Sequence, residues 1–342
     1  MNPTESTELA QTMRGFVDWA RSMGWRYVMH PLHLAHFARF LEERGVVQLD
    51  QVDTALLLEY QQRLLATRGP STVNGHLSSL HALWRYLQRE QLVGHDPTEG
   101  VAQLRLHGFV PHLYSEQELS AIERAARDRI RQAHTQGHRF CARTGLTAFI
   151  LLRDCGLRVS EACRLNLSDY VPTARSLRIE RTKFFKTRLI PLPRITCFVL
   201  DQYLERRAQR VSRGCESCAL FISVLGRGLG RGALESRFKQ LTMHAGVYHP
   251  RRREGLTVFG STNVHALRHT YAVRALERWQ RNARDVEHLL PLLSAYMGHV
   301  KVTYTAHYLH LTPLLRQLAS ERFGALALSR LDHHSGLSDD DE

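Results

Sequence analysis

Between Gly94 and about Leu113 the helical periodicity of this chain fails, and that break constrains the fold more than any other stretch. Gly94-His-Asp-Pro-Thr-Glu-Gly100 is turn chemistry, and Gly108-Phe-Val-Pro111 is a second interruption. Before it, apolar residues recur at helical spacing. Leu9, Met13, Phe16 and Ala20 mark one amphipathic helix, Leu32 to Leu41 a second and Leu56 to Leu65 a third. The clearest is the fourth, carried by Val73, Leu77, Leu80, Trp84 and Leu87. Its polar side holds Asn74, His76, Ser78, His81, Arg85 and Arg89, which read as a solvated, basic face. After the break, Ser115-Glu-Gln-Glu118 has the form of a capping box and opens a new helix. A chain of 342 residues is long enough for two cores. The expected organisation is a helical domain at 1–95, a linker at 96–111, a second domain at 112–330 and an acidic, disordered tail at 331–342.

Charge narrows the partner. The net charge is +13, and removing the four acidic residues Asp339–Glu342 leaves +17. An excess of that size points to a polyanion, most often nucleic acid. The longest strongly apolar run, Leu146–Leu152, is too short to span a bilayer, and the N-terminus lacks a basic-then-apolar signal pattern. The expectation is a cytoplasmic protein without a membrane partner. The six cysteines read mostly as reduced core residues. Cys215-Glu-Ser-Cys218 has zinc-like spacing but no second pair at finger distance, so it reads as a free pair in a loop.

Within the second domain, Leu146–Leu157 reads as a buried helix stopped at Gly156. Leu177–Thr182 and Arg188–Leu192 are β-prone runs flanking Lys183-Phe-Phe-Lys-Thr187, the pattern of a hairpin. Helices resume near Leu200, Ala233, Val264 and Asp285. The predicted class is mainly α with a small β-sheet. The basic loop His249-Pro-Arg-Arg-Arg-Glu254 suits phosphate contact and solvation equally.

Four stretches carry residue types suited to phosphate chemistry. Gly156-Leu-Arg-Val-Ser-Glu161 sets Arg158 at the start of a short helix that Ser160 is placed to cap, where the dipole and free N–H groups favour anions. Glu161 is placed to hold that arginine by a bidentate pair. His265 and Arg268, at i and i+3, share a helix face that Ser261, Thr262 or Asn263 is placed to cap. Lys183 at the hairpin turn is either solvated or a general acid, with Lys186 and Arg188 as competitors. Gly298-His299 lies nine residues before Tyr308, the candidate for a covalent bond to phosphorus. Carboxylates do not cluster as a two-metal nuclease requires, and Gly226-Arg-Gly-Leu-Gly-Arg-Gly232 lacks the Lys-Ser/Thr ending of a P-loop. Fixed cations would then stabilise a phosphoryl-transfer transition state, and they should favour the phenolate of a tyrosine whose ordinary pKa is about 10.

In this order and spacing the stretches resemble the boxes of the tyrosine recombinases, the phage-integrase family. Gly156–Glu161 is similar to the first arginine box and Lys183–Leu192 to the strand-turn-strand with its lysine. His265-Ala-Leu-Arg-His-Thr-Tyr271 is similar to the His-x-x-Arg box, and Gly298-His299 with Tyr308 to the last. The resemblance covers about residues 112–325. It implies an N-terminal helical, SAM-like core-binding domain followed by a catalytic domain of the DNA breaking-rejoining fold.

The resemblance also implies roles. Arg158 and Arg268 would clamp the scissile phosphate, with His265 and His299 hydrogen-bonding or shuttling protons. Lys183 would protonate the 5′ leaving oxygen, Tyr308 would form a 3′-phosphotyrosine, and Glu161 would support the site. Tyr304 has the wrong spacing from His299 for the nucleophile, and Thr182-Lys-Phe-Phe stands where many members have Gly-Lys-Gly. No cofactor is implied, because the phosphotyrosine stores the broken bond. The implied partners are a double-stranded DNA recombination site, accessory recombination proteins and three further copies in a DNA-bound tetramer. Leu309–Leu328 is apolar enough to be exchanged between subunits or to pack on its own domain. The leading expectation is the integrase or transposase of a mobile element. The alternatives are a housekeeping resolvase of chromosome dimers, a DNA-binding protein without catalysis and a topoisomerase of the same chemistry.

Overall fold

The computed structural model describes residues 8–25, 29–105, 108–180, 187–211, 217–255 and 257–311, in two compact units that meet between His107 and Gly108. The first unit is a bundle of α1 (Glu8–Ser22), α2 (His30–Glu43), α3 (Thr54–Leu65) and α4 (Pro70–Arg89). Local chemistry starts these helices. Asp53 caps α3 by accepting from the Leu56 N–H at 2.8 Å, and Pro70 opens α4, where its missing N–H costs nothing. The apolar stripes meet in one core that buries Phe16, Phe37, Phe40, Leu57, Leu77, Leu80 and Trp84.

Two expectations fail in this unit. His76, assigned to a solvated face, is 1% exposed, and its Nδ1 lies 2.8 Å from the Tyr60 hydroxyl. The first part of the expected linker, residues 96–105, packs on the bundle. The Asn74 side chain donates to the Leu104 carbonyl at 2.8 Å and accepts from its N–H at 2.9 Å. Thr54 Oγ1 and Gln61 Nε2 donate to the Pro97 and Ala102 carbonyls, and Val101 enters the core. A turn-rich stretch has no period to read, but its backbone groups still need partners, and side chains on α3 and α4 supply them.

The second unit contains β1 (Gly108–Val110), α5 (Glu116–Arg131), α6 (Gln136–Cys155), α7 (Val159–Ala162), β2 (Tyr170–Val171), β3 (Ser176–Ile179), β4 (Arg188–Pro191), α8 (Arg194–Val211) and α9 (Arg231–His244). It continues with β5 (Arg252–Glu254), β6 (Thr257–Phe259), α10 (Val264–Arg281), α11 (Val286–Met297), α12 (Thr303–Ala306) and a 3-10 turn at His307–Leu311. The capping box forms as its spacing predicts: Glu118 N–H donates to Ser115 Oγ at 3.1 Å and Ser115 N–H to Glu118 Oε2 at 2.7 Å. Helix α6 buries Phe149, Ile150, Leu151 and Leu152 in succession, each contributing about 1.5–3 kcal/mol relative to exposure.

The predicted hairpin is present as antiparallel β3 and β4, with Ile179 opposite Arg188, and β2 extends it to three strands. A second three-stranded sheet, in the order β1-β6-β5, was not legible beforehand. It pairs Gly108 with Thr257 in parallel and takes Arg252–Glu254 of the basic loop as an antiparallel edge. No helix among the described residues is long and apolar enough to cross a membrane. Cys141, Cys155, Cys163, Cys197 and Cys218 are free thiols, whereas Cys215 and the acidic tail lie outside the described residues.

Candidate active site

Helix α6 stops at Gly156, whose φ is +59° and where a Cβ would lie 2.5 Å from the Tyr271 ring. Only glycine fits both the left-handed turn and that approach. The turn sets Arg158, rather than Ser160, at the cap of α7. The Arg158 N–H donates to Glu161 Oε2 and its Nη1 to Oε1, both at 2.9 Å. Glu161, 3% exposed, is not the private partner of Arg158 that spacing suggests. Arg188, at the start of β4, donates to the same carboxylate through Nη2 at 2.9 Å and Nη1 at 3.2 Å. Burial alone would raise the Glu161 pKa, but the Arg188 bond and charge, the Arg158 N–H and the Arg268 charge together hold it below the usual range. The site thus sets three guanidinium groups, of Arg158, Arg188 and Arg268, against one carboxylate.

Helix α10 is capped by Asn263, which accepts from the Ala266 N–H at 3.0 Å. Its first turns carry His265, Arg268 and His269. Arg268 is 2% exposed and donates from Nη1 to the Gly156 carbonyl at 2.6 Å and from Nη2 to the Met297 carbonyl. It therefore ties the end of α6 to the end of α11. Burial first, then the nearby Arg158 charge, lowers its pKa to about 9, still leaving it protonated at neutral pH.

Helix α11 ends at Gly298, with φ +64°. The Gly298 carbonyl accepts from Arg158 Nη2 at 3.0 Å, and a Cβ there would lie 2.7 Å from Arg188 Nη1. His299 follows, with Nδ1 2.8 Å from the buried Thr305 Oγ1, which sets its ring. Burial, then Arg268, Arg158 and Arg188, lowers the His299 pKa to about 4. Tyr308, on the 3-10 turn, is 5% exposed, and its ring stacks at 6.3 Å on that of His299. Its hydroxyl lies 3.0 Å from His269 Nδ1. Tyr304 is 60% exposed.

The expected pull of the cations towards the phenolate is present but outweighed. Burial raises the Tyr308 pKa, and the opposing pull of Arg268 and Arg158 does not cancel it. The phenol is protonated at rest.

This converging set is accompanied by a match in sequence. The profile of the phage integrase family covers residues 128–314, a stretch that includes every residue of the site. The chain belongs to that family. A protein of Sinorhizobium fredii named "Putative integrase/recombinase y4rB" is 31% identical over 91% of this chain and 96% of its own length. A tyrosine recombinase XerC of Pseudomonas fluorescens is 33% identical over 69% of this chain and 68% of its own. Among solved structures, the Tn1549 transposon integrase in complex with a circular intermediate DNA superposes with a TM-score of 0.64 at 18% identity, over 91% of this chain and 99% of that one. That last likeness shows the phage integrase fold.

Within this integrase fold, Arg158, Glu161, Arg268, His299 and Tyr308 come together as their order in the chain suggests. His265 lies at the rim, exposed, with its ring edge-on to that of His269 at 4.6 Å. Protein still surrounds it closely enough that burial, ahead of Arg268 and Arg158, lowers its pKa. Lys183 lies outside the described residues. Three contributors were missed. Arg188 had been weighed only as a rival to the lysine and instead braces Glu161. His269 stood unassigned inside a quoted motif, and Thr305 carried no signal at all.

Proposed function

We propose that this integrase is a site-specific DNA recombinase that cleaves and rejoins strands through a 3′-phosphotyrosine on Tyr308. The observation that carries the reading is the gathering of Arg158, Arg268 and His299, from widely separated stretches, around one buried tyrosine. A phosphodiester entering there meets guanidinium groups already fixed by Glu161 and by the carbonyls of Gly156, Met297 and Gly298. Such preorganised donors are worth about 3–4 kcal/mol each to a transition state that gathers charge on non-bridging oxygens.

In the forward step Tyr308 Oη bonds to phosphorus, the bond from phosphorus to the 5′ oxygen breaks, and the leaving oxygen gains a proton. Lys183 is the proposed donor of that proton. Rejoining reverses each step with a 5′-hydroxyl from another strand. The phosphodiester energy is conserved in the phosphotyrosine, so strand exchange needs no external energy source. His265 and His299 hydrogen-bond the phosphate. Four subunits act together on two DNA sites in the cytoplasm, with Leu309–Leu328 the segment available for exchange between them. We propose the role of a mobile-element enzyme rather than a housekeeping resolvase, a choice that attachment-like sites in the DNA flanking the gene test.

Trapping on nicked half-site DNA tests the reading. The wild-type protein should accumulate a covalent complex and Tyr308→Phe should bind the same DNA but trap nothing; a covalent product from the variant would move the nucleophile elsewhere. Lys183→Ala should slow cleavage by about a hundred- to ten-thousand-fold. A substrate with sulfur at the 5′ bridging position, whose thiolate leaves without a proton, should restore its rate. A persistent defect on that substrate removes Lys183 from the leaving-group side.

A further inference from the structure

We propose that His269, rather than His265, takes the proton from Tyr308 as it attacks. The inference rests on the recombinase reading above and assigns a catalytic residue within it. Tyr308 Oη lies 3.0 Å from His269 Nδ1, within reach for direct transfer, with ring centroids 5.5 Å apart. His265, one helical turn earlier on α10, is turned to the His269 ring and exposed, and it makes no such bond to Tyr308. The protonated phenol has a hydrogen to donate, and Nδ1 is the acceptor, which leaves the imidazole proton on Nε2.

The charges facing His269 keep it a neutral acceptor at rest. From α10 they are His265 and Arg268, from the 3-10 turn His307 beside Tyr308, and from the end of α11 His299. Burial, followed by these groups, lowers the His269 pKa to about 3, so its lone pair is free at neutral pH but an imidazolium is costly in the empty site. A bound phosphodiester brings negative charge among the same cations and offsets that cost. Bonding of Oη to phosphorus acidifies the phenol at the same time.

The step balances. The O–H bond of Tyr308 breaks as N–H forms on His269, Oη bonds to phosphorus and the bond to the 5′ oxygen breaks. On rejoining, a 5′-hydroxyl oxygen bonds to phosphorus and passes its proton to Lys183, the bond from phosphorus to Oη breaks, and His269 returns its proton to Oη. Without DNA, Tyr308 stays a phenol.

Single-turnover cleavage of nicked half-site DNA by the full-length protein, from about pH 6 to about pH 9, tests this. His269→Asn keeps an acceptor near the Nδ1 position but no base. It should unfold at the wild-type temperature, bind DNA normally, and cleave about a hundred- to ten-thousand-fold more slowly. Its rate should climb with pH where the wild type is flat, and added imidazole should partly rescue His269→Ala. The slow rate should persist on the 5′-thio substrate, because the fault is on the nucleophile side. Wild-type cleavage and pH profile in His269→Asn would overturn the proposal, as would a slow variant with an unshifted profile and no imidazole rescue, or the profile change appearing in His265→Asn instead. Tyr308→Phe on the same DNA separates the two levels: covalent product from it sinks the recombinase reading, whereas none from it beside a normal His269→Asn sinks only the role of His269.

Discussion

Each unit of this protein buries a tyrosine hydroxyl against a histidine Nδ1, and only one of the two pairs is placed to do chemistry. In the helical bundle, Tyr60 meets His76 at 2.8 Å, and in the second unit Tyr308 meets His269 at 3.0 Å. Burial raises both tyrosines and lowers both histidines, to about 4 for His76 and about 3 for His269. The neighbours differ. Tyr60 packs between Phe37 and Phe40 at 5.0 and 5.1 Å, so its hydroxyl finishes a core, and the nearby Arg63 and Arg68 turn to Glu43 and His36 at the surface. Tyr308 faces Arg268 and Arg158, held by backbone carbonyls and a shared carboxylate. A tyrosine–histidine hydrogen bond satisfies a buried polar group, and anchored positive charge around it makes the same bond a candidate nucleophile and base.

The largest expected contrast comes from removing each hydroxyl. Tyr308→Phe should abolish covalent DNA complexes, at a stability cost of about 1–3 kcal/mol because His269 Nδ1 loses its partner. Tyr60→Phe should leave cleavage chemistry intact and cost about 1–3 kcal/mol of unfolding free energy, because His76 Nδ1 loses its buried partner. Equal effects of the two on trapping would erase the distinction.

Next in size is Glu161→Gln, which leaves three guanidinium groups without their carboxylate. Stability of the second unit should fall by about 3–5 kcal/mol in denaturant titrations, with Arg158 loosened and cleavage slowed. A variant as stable as the wild type would show that Arg158 and Arg188 are held by other contacts.

Acid should distinguish the units as well. The folded-state pKa of His76 lies below its ordinary 6.5, by burial first and then by His33, Arg68 and His36. Its contribution is therefore fully present above about pH 6.5 and lost as pH falls towards about 4, by up to about 3 kcal/mol. Trp19, Trp25 and Trp84 lie in the first unit and only Trp279 in the second, so tryptophan emission reports mainly on the bundle. Its melting temperature should drop between about pH 6.5 and about pH 4.5, and His76→Phe should flatten that dependence. The smallest effect is expected of Gly298→Ala. Its left-handed φ and the approach to Arg188 should cost about 1–3 kcal/mol, with a matching loss of cleavage as the Arg158 contact shifts.

Much of this was legible along the chain wherever the interaction is short-range. The Ser115–Glu118 box, the stop at Gly156 and the pairing of β3 with β4 all join residues close together in the chain. Charge and motif order then pointed to DNA. Misreadings fell where a partner is distant. His76 sits on the polar side of its helix by period but stacks on His33 at 4.1 Å. Arg188 had no visible reason to choose Glu161 over solvent.

The sequence by itself determined where helices begin and end, the order of the chemistry-bearing boxes and the sign of the partner, since propensity, capping and net charge are properties of neighbours or of the whole chain. Only the tertiary structure decided which cations brace one another, that the tyrosine rests as a phenol and which histidine it touches. Those outcomes depend on burial and on contacts between residues 27 to 140 positions apart, such as Arg188 with Glu161, His269 with Tyr308 and Arg158 with Gly298, which packing alone brings within hydrogen-bond reach.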